Sequence, residues 1–396
     1  MTALPRDARI GVLGAGAMGS GIAQVAAAAG HQVVVTDPVV ETVARGAGNL
    51  RRNMERDVAK GRLTPEAARG LEARVTWSDA ALGYYAPFTG CALVIEAIVE
   101  DLEAKQAAFH GLEGVVGDDA LLATNTSSLS VTAIAAACRR PERVVGMHFF
   151  NPAPVLPLVE IVPGLGTAAG ATEQARATVA SWGKTVVVAA DTPGFIVNRI
   201  ARPFYGEALR IYEERVADRA TIDWAMKEKG GFRMGPFALM DLIGNDVNYA
   251  VTRSIFEALH YDPRYKPSVT QQRLVEAGRF GQKSGRGHYE YHAGAVAPEP
   301  VRDEPLAERI VPRILAMLIN EAADALFWGI ASRDDIDLAM TKGVAYPKGL
   351  LRWADELGIA SVVDRLDALQ AEYGEDRYRP SPLLRRMAAR HERFYP

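Results

Sequence analysis

The sequence contains few cysteines, no long apolar segment and almost no net charge. Cys91 and Cys138 are the only cysteines in 396 residues, too few for a disulfide framework or a cysteine-based metal site, so we expect no metal. No apolar run nears the length of a membrane span, and the chain enters its first predicted strand without an apolar signal core. We therefore expect a cytoplasmic protein with no membrane partner. Lys and Arg total 45 against 48 Asp and Glu, a net charge of -3 that predicts no general attraction for nucleic acid.

A histidine and a glutamate lie on two short apolar segments near the middle of the chain. His148 follows the run Val144–Met147, and Glu160 lies inside the run Leu158–Val162. Both runs are rich in β-branched residues, so each predicts a buried strand. A carboxylate inside such a strand is costly to bury unless it is paired, and His148 is the titratable partner in the pattern. We predict a His–Glu pair that takes a proton from a substrate hydroxyl; a core histidine bonded to a backbone carbonyl is the alternative.

A glycine-rich turn near the N-terminus separates a strand from a helix. The strand Ile10–Leu13 leads into a G-x-G-x-x-G motif and an Ala-rich helix, and the next strand ends at Asp37. This context predicts a dinucleotide site, because the glycines permit a tight turn and close phosphate approach at a helix N-terminus; glycines that serve only packing are the alternative. Asp37 would accept hydrogen bonds from ribose hydroxyls and repel a 2′-phosphate, which favours NAD over NADP. The motif consists of Gly14, Ala15, Gly16, Ala17, Met18 and Gly19.

Strands and helices continue to alternate after the glycine turn. The strand Leu121–Thr124 runs into a polar cluster, Asn125–Ser128, at a strand end of the kind where open α/β sheets bind ligands. The following helix could instead take its N-cap here, from Ser128 or Ser130. The helix predicted at Glu41–Lys60 is rich in Arg and Lys, so it forms either a solvated face or a receptor for an anionic substrate tail.

The second half of the chain is predicted to be helical and contains an internal repeat. A shift of 114 residues aligns residues 207–244 with residues 321–358 without a gap. This repeat predicts a duplicated helical domain. The stretch 293–305 is rich in Ala, Pro and Glu and predicts a linker. We therefore expect domains at 1–190, 191–292 and 306–396.

Seven motifs resemble those of the 3-hydroxyacyl-CoA dehydrogenase family. They span about residues 8 to 290, and the C-terminal repeat is similar to a second copy of that family's helical domain. The resemblance implies an α/β fold, with a Rossmann-type NAD-binding domain followed by two all-α, 6-phosphogluconate-dehydrogenase-like domains. It also implies NAD as cofactor and reversible oxidation of an L-3-hydroxyacyl-CoA to a 3-ketoacyl-CoA. The motifs are GAGAMGSGIAQ, VIEAIVEDLEAK, NTSSLS, HFFNPAPVLPLVEIV, DTPGFIVNR, GPFALMDLIG and GQKSGRGHY.

The resemblance also implies roles for individual residues. His148 matches the catalytic base and Glu160 its partner. Ser127 matches the serine that bonds the substrate's 3-oxygen, with further contacts to the cofactor and CoA, and Asn198 matches an asparagine of the same catalytic cluster. The remaining implied contacts are Glu100, Lys105 and Asn151 to the nicotinamide half of NAD, Lys60 and Lys283 to the phosphates of CoA and cofactor, and Asn53 to CoA at a position where the family can carry serine.

Other functions and two assembly states stay open. A dehydrogenase of a free hydroxy acid, of the L-gulonate type, would use the same architecture, and a non-catalytic NAD-binding protein would keep only the fold. All four catalytic candidates are present, which argues against a non-catalytic protein. They are Ser127, His148, Glu160 and Asn198. The duplicated helical domain is similar to forms used in aromatic-acid catabolism, where the substrate is a dicarboxylate such as 3-hydroxyadipyl-CoA; fatty-acid catabolism is equally open. The chain could form a homodimer, or the second copy could pack on the first within a monomer.

Overall fold

The computed structural model describes residues 2–78 and 83–396. They form two compact units, Met1–Phe195 and Ile196–Pro396. Within the described ranges, no helix is both long and apolar enough to cross a membrane.

The first unit is built on one eight-stranded sheet. Its strands are β1 (Arg9–Leu13), β2 (Gln32–Thr36), β3 (Val75–Ser78), β4 (Leu93–Glu96), β5 (Leu121–Thr124), β6 (Val144–Phe149), β7 (Leu158–Pro163) and β8 (Thr185–Val188). The strand order is β3-β2-β1-β4-β5-β6-β7-β8. Neighbouring strands are parallel except β6 and β7, which are antiparallel. Parallel strands buried on both faces favour continuous apolar runs, and the central strands are rich in Val, Ile and Leu.

Helices cover both faces of this sheet. They are α1 (Ala17–Ala28), α2 (Val40–Ala59), α3 (Pro65–Glu72), α4 (Leu102–Glu113), α5 (Val131–Ala135) and α6 (Ala169–Ser181). Side chains alternate along β2, so Val33 and Val35 pack into one apolar cluster and Val34 into another. The first cluster lies under α1, α2, α3 and α6, and the second lies under α4 and α5.

The predicted α/β fold followed by helices is confirmed, and the local differences have simple causes. The helix predicted at Val131–Cys138 ends at Ala135, and Ser130, not Ser128, caps it. We did not predict α3, which begins at a Thr64 cap that accepts a hydrogen bond from the N–H of Ala67. Strand β3 was also missed, because it is a four-residue edge strand that pairs only with β2.

The second unit consists of helices. They are α7 (Val197–Ile200), α8 (Arg202–Glu213), α9 (Arg219–Trp224), α10 (Pro236–Ile243), α11 (Asn245–Ala258), α12 (Val269–Glu276), α13 (Glu304–Phe327), α14 (Arg333–Gly343), α15 (Leu350–Leu357), α16 (Ile359–Tyr373) and α17 (Pro382–Arg390). Helix α13 is one 24-residue helix where the first copy has two helices, α7 and α8. It begins at Glu304, inside the stretch predicted as a linker.

The two helical copies repeat the same hydrogen bonds. Asp223 accepts hydrogen bonds from two backbone N–H groups at the start of α10, and Asp337 accepts from two at the start of α15, all at 2.8 to 3.0 Å. The copies pack against each other through α8 and α13 inside one compact unit. The division into domains at 191–292 and 306–396 stays a prediction.

Candidate active site

The histidine and glutamate singled out in the sequence face each other across two antiparallel strands. His148 on β6 and Glu160 on β7 are direct register partners. The Nδ1 atom of His148 lies 2.6 Å from Oε2 of Glu160. Glu160 is fully buried, and His148 is 5 % exposed. An Nδ1–H donated to the carboxylate leaves Nε2 as the acceptor, a tautomer assigned from this hydrogen bond. The pair therefore has the form of a general base.

Aromatic rings flank the imidazole within the first unit. The ring centroid of His148 lies 4.5 Å from that of Phe150 and 5.8 Å from that of Phe195. Apolar neighbours keep water away from the ring, which strengthens its charge-assisted hydrogen bond to Glu160 when the imidazole is protonated. The same bond offsets the cost of burying the Glu160 carboxylate within a strand.

The polar loop Asn125–Ser128 follows β5 beside this pair. The side-chain oxygen of Asn125 accepts a hydrogen bond from the N–H of Phe149, the residue after His148, at 2.8 Å. The N–H of Asn125 donates to the carbonyl of Glu96 at 2.8 Å. The loop is therefore anchored to β4 and β6, the strands on either side of β5.

Glu100 accepts hydrogen bonds from three residues of this loop. Its Oε1 accepts hydrogen bonds from the Thr126 hydroxyl at 2.6 Å and from the N–H groups of Ser127 and Ser128 at 2.9 and 3.1 Å. Burial alone would raise the pKa of Glu100, but Lys105 and these donors outweigh it and hold the pKa below its ordinary value. Glu100 therefore stays ionised and fixes the position of Ser127.

Lys105 on α4 is buried between two carboxylates. Its Nζ lies 2.6 Å from Oε1 of Glu96 and 3.3 Å from Oε2 of Glu100. Glu96 is fully buried and also accepts hydrogen bonds from the N–H of Ile98 and the hydroxyl of Thr124, both at 2.7 Å. Lys105 thus links Glu96, at the end of β4, to Glu100, which holds the polar loop Asn125–Ser128.

The glycine turn leaves room where a phosphate needs it. Gly14 has a φ of 105°, and a Cβ there would lie 2.5 Å from the carbonyl oxygen of Ala97. A Cβ on Gly19 would collide with the carbonyl of Gly14. A Cβ on Gly16 would instead meet no atom within 4 Å, and no side chain caps α1 at this residue. Gly16 therefore borders open space at a helix N-terminus, the arrangement that receives a pyrophosphate.

Asp37 lies beside the glycine turn at the end of β2. Its two carboxylate oxygens accept hydrogen bonds from the N–H of Ala15 and the N–H of Val39, each at 2.9 Å. Each oxygen keeps a lone pair for a ribose hydroxyl. The open space at Gly16 and this oriented carboxylate fit NAD.

Family comparisons identify the kind of protein that carries this site. The family description "3-hydroxyacyl-CoA dehydrogenase, NAD binding domain" matches residues 9–192, and "3-hydroxyacyl-CoA dehydrogenase, C-terminal domain" matches residues 194–291 and 310–393. The chain belongs to the 3-hydroxyacyl-CoA dehydrogenase family. It is an NAD-dependent oxidoreductase, and the double match of the C-terminal domain agrees with the repeat seen in the sequence.

Individual relatives of this dehydrogenase match either almost all of the chain or about three quarters of it. A 3-hydroxyadipyl-CoA dehydrogenase of Escherichia coli K12 is 40 % identical over 96 % of this chain and 97 % of that protein. The crystal structure of a 3-hydroxybutyryl-CoA dehydrogenase from E. coli K12 has a TM-score of 0.90 and 38 % identity, covering 97 % of this chain and 98 % of that one. A shorter 3-hydroxybutyryl-CoA dehydrogenase of Bradyrhizobium diazoefficiens is 39 % identical and covers 73 % of this chain and 97 % of its own length.

Two predicted site residues of the dehydrogenase lie in the second unit. Asn198 is partly buried on α7. Lys283 lies in the GQKSGRGHY motif, where its Nζ is 2.7 Å from Oδ2 of Asp246 and 5.5 Å from the centroid of the Phe280 ring. The lysine predicted to contact phosphate is therefore already ion-paired, and a phosphate would share it with Asp246.

The remaining predicted contacts lie on the surface of the first unit. Asn53 on α2 donates to the side-chain oxygen of Gln24 at 3.2 Å and accepts from Arg56 at 3.1 Å, so its amide is engaged within the fold. Lys60 at the end of α2 is exposed and makes no ion pair with any residue in the described ranges. Asn151 is exposed in the loop between β6 and β7.

The sequence analysis missed Glu96. It lies in the apolar run of β4, so the argument that picked out Glu160 applied to it equally well. Its partner was also detectable, because Lys105 shares helical spacing with Ala108, Phe109 and Leu112, which are buried on α4.

The Glu96–Lys105 contact yields a prediction about cofactor binding. Changing Glu96→Gln leaves one oxygen to accept from the N–H of Ile98 and an NH2 group that can donate to the Thr124 hydroxyl, but it removes the carboxylate that holds the buried ammonium of Lys105. We expect the KM for NAD to rise about tenfold while kcat changes less than about threefold, the size typical for loss of a supporting ionic partner. Steady-state kinetics measure both values. The control is Glu103→Gln, an exposed acid on the same helix; equal losses in kcat and kcat/KM in the Glu96 variant would contradict the idea.

Proposed function

We propose that this dehydrogenase oxidises L-3-hydroxyadipyl-CoA to the 3-ketoacyl ester, reversibly, with His148 as the general base. The observation that carries the proposal is the buried His148–Glu160 pair, whose Nδ1–Oε2 distance is 2.6 Å. A secondary alcohol loses a hydride easily only if its hydroxyl proton is removed in the same step. An imidazole with one nitrogen fixed by a carboxylate and the other available supplies that base.

The proposed step assigns one task to each side chain. His148 takes the proton of the 3-hydroxyl through Nε2, and Glu160 stabilises the imidazolium that forms. Ser127 and Asn198 donate hydrogen bonds to the 3-oxygen as it becomes a carbonyl. Bound NAD supplies the hydride acceptor for C3. In the reverse direction the imidazolium of His148 returns the proton.

Cofactor binding is proposed to use three groups of residues. The glycine turn and the N-terminus of α1 receive the pyrophosphate, and Asp37 receives the adenosine ribose. The third group, Glu100 and Lys105, holds the polar loop Asn125–Ser128, which is proposed to contact the nicotinamide half of NAD. The full set is Gly14, Ala15, Gly16, Ala17, Met18, Gly19, Asp37, Glu100, Lys105, Ser127, Asn151 and Lys283.

CoA is proposed to lie along the basic helix α2. Of the two predicted CoA contacts at this helix, Lys60 is the cation and forms no ion pair with a described residue, so it is the stronger candidate for a CoA phosphate. Asn53 is the weaker candidate because its amide already bonds Gln24 and Arg56. Ser127 completes the proposed contacts near the thioester.

The adipyl substrate is proposed on the likeness to a relative over almost the whole chain. That relative carries the name 3-hydroxyadipyl-CoA dehydrogenase and matches 96 % of this chain. The shorter relatives named for 3-hydroxybutyryl-CoA match 72 to 73 % of this chain. The relative with the adipyl name is therefore matched over both helical copies. A fatty acid oxidation complex alpha subunit of Pseudomonas putida, 34 % identical over 97 % of this chain, and a structure titled for the butyryl ester are matched over both copies as well.

A substrate panel tests the proposal. We expect purified protein to form NADH with L-3-hydroxyacyl-CoA esters and to give its highest kcat/KM with the adipyl ester. The butyryl and hexanoyl esters are the chain-length controls, and free L-gulonate and 3-hydroxybutyrate are the controls for the CoA group. Turnover of free acids alone would reject the CoA assignments, and no turnover of any substrate would favour a non-catalytic NAD-binding protein.

We further propose that the second helical copy packs on the first within one chain. Buried ion pairs that join α13 to α7 and to α8 support this arrangement. Arg313 of the second copy lies 3.1 Å from Glu207, and Arg199 of the first copy lies 2.8 Å from Glu321. A surface already occupied in this way is not available to a second subunit, so a homodimer would need a different contact.

A further inference from the structure

One buried arginine of the second unit has no acidic partner. Arg202, at the start of α8, is 7 % exposed. Among the residues that the structure describes, no carboxylate forms an ion pair with it. Buried guanidinium groups are normally paired, because an uncompensated charge is expensive to remove from water. The other buried arginines of this unit follow that rule: Arg199, Arg264, Arg313 and Arg377 each contact a Glu or Asp.

The guanidinium of Arg202 is only partly satisfied by hydrogen bonds. Its Nε donates to the carbonyl of Asn198 at 2.7 Å, and Nη1 donates to the Thr252 hydroxyl at 3.1 Å and the Asn248 carbonyl at 3.4 Å. The described residues offer no acceptor to Nη2. Arginine presents five N–H donors in a planar fork, so two donors of one nitrogen stay available.

A tyrosine from the second helical copy adds an unpartnered donor near this arginine. Tyr346 is 5 % exposed, and its hydroxyl has no hydrogen-bond partner in the described part of the chain. Burial raises the pKa of Tyr346 well above its ordinary value, so the phenol stays neutral and able to donate. The ring centroid of Tyr346 lies 5.8 Å from that of Phe204 and 5.0 Å from that of Phe232. Phe204 in turn packs against Tyr205, whose ring centroid lies 5.0 Å from the guanidinium carbon of Arg202.

We propose that Arg202 and Tyr346 together receive a carboxylate group of the substrate. Two free N–H donors and a neutral hydroxyl in an apolar surrounding match the needs of a carboxylate, which accepts charge-assisted hydrogen bonds. The aromatic walls of this site come from Tyr205, Phe204 and Phe232. The site uses residues from both helical copies, which gives the duplication a function in substrate selection.

The position of Asn198 identifies which carboxylate this is. Arg202 donates directly to the backbone of Asn198, the residue proposed to hold the substrate's 3-oxygen. In a 3-hydroxyadipyl chain, three carbon–carbon bonds separate C3 from the terminal carboxylate. A group held at Asn198 therefore brings that carboxylate within reach of Arg202. This assignment rests on the proposed function, and it names the terminal carboxylate of a 3-hydroxydicarboxylyl-CoA as the ligand.

Arg202 also has a structural role, which the experiment must distinguish from carboxylate binding. Helices α7 and α8 break at Ala201, and the bond from Arg202 to the Asn198 carbonyl ties the two together. A merely structural arginine would affect every substrate alike, because it would disturb the whole helix junction. A carboxylate receptor changes only the ratio between substrates with and without the terminal charge.

The experiment compares two esters of equal chain length in the full-length enzyme. L-3-hydroxyadipyl-CoA ends in a carboxylate, and L-3-hydroxyhexanoyl-CoA ends in a methyl group. We expect Arg202→Met to lower the adipyl-to-hexanoyl ratio of kcat/KM about 100-fold, because any loss from the helix junction is shared by both esters and cancels in the ratio. Tyr346→Phe removes one hydroxyl and keeps the ring, and we expect about a tenfold fall in the ratio. This second variant keeps the test valid if the arginine variant does not fold.

Matched controls and outcomes complete the design. Tyr212→Phe removes a phenol from the same helix away from Arg202 and should leave the ratio unchanged. Equal losses for both esters in the Arg202 and Tyr346 variants would overturn the receptor and leave a structural role. A parent enzyme that oxidises both esters equally well would also overturn it, while the dehydrogenase function would stand. A parent that oxidises neither ester would reject the proposed function itself.

Discussion

Replacing His148 with Gln is expected to lower kcat about 100- to 10,000-fold, the range over which a positioned general base contributes. Gln can donate a side-chain N–H to Glu160 and so keep the buried carboxylate bonded, but it has no group that accepts a proton at neutral pH. The fold and the NAD site should therefore persist. The measurement is kcat with a saturating L-3-hydroxyacyl-CoA ester, together with NAD affinity from NADH fluorescence.

The control for this variant is His110→Gln. His110 is an exposed residue at the end of α4, so its loss should leave kcat within about twofold of the parent. A His148 variant with near-parental turnover would remove the proposed base from the mechanism. A variant that lost NAD binding in parallel with turnover would point to collapse of the sheet around β6 instead of loss of a proton acceptor.

The His–Glu pair was predictable because two independent constraints agree. Burial of a carboxylate in the strand at Glu160 demands a partner, and the run before His148 predicts a neighbouring strand. The sequence left two points open. It did not show that β6 and β7 run antiparallel, and it did not show that His148 and Glu160 are direct register partners. Both depend on the conformation of the loop between the two strands. Local sequence patterns in that loop do not predict the direction in which the chain returns.

The contacts that hold the polar loop Asn125–Ser128 in place were harder to predict. Glu100 was expected at the cofactor, but its bonds to Thr126, Ser127 and Ser128 depend on how β4 and β5 lie side by side. Lys105 stays a predicted cofactor contact, but the sequence did not show that its ammonium lies buried between Glu96 and Glu100. Residue spacing on a helix predicts which face is buried, but not which charges meet there.

The repeat was predictable, but the contacts between its copies were not. The 114-residue shift that relates Glu207 to Glu321 also relates Arg199 to Arg313. In the structure each glutamate pairs with the arginine of the other copy, so the two ion pairs are reciprocal. A sequence comparison finds equivalent positions within copies. It cannot show that equivalent residues exchange partners, because that depends on how the copies pack.

These reciprocal pairs lead to the second large effect, on stability. Glu321 is fully buried and contacts the Nε of Arg199 at 2.8 Å, Nη1 of Arg264 at 3.2 Å and the hydroxyl of Tyr265. Changing Glu321→Gln removes the charge and leaves Arg199 without an acidic partner. Breaking one side of a buried ion pair costs about 3–5 kcal/mol, so we expect a loss of that size in the free energy of unfolding, measured by urea denaturation.

The cost should also depend on pH in a defined direction. Burial alone would raise the pKa of Glu321, but Arg199 and Arg264 outweigh it and lower the pKa from its ordinary value of 4.5. A carboxylate with a lowered folded-state pKa stabilises the fold above its unfolded pKa and loses that contribution as the pH falls through the folded value. The difference between the parent and the Gln variant should therefore be full at pH 7 and shrink below about pH 4.5.

The first copy supplies a reciprocal test, and an exposed ion pair supplies the control. Glu207→Gln should also destabilise, because the buried Arg377 loses its acidic partner, but by less than Glu321→Gln, because Arg313 keeps Glu214 at 2.7 Å. Glu276→Gln removes an exposed glutamate that pairs with Arg273 at 2.8 Å, and it should cost less than about 0.5 kcal/mol. If both buried variants stayed within about 1 kcal/mol of the parent, the two helical copies would not depend on these charges to hold together. The large cost that we expect would instead mean that each copy neutralises buried charges of the other copy. The contact that two subunits would otherwise provide would then lie within a single chain.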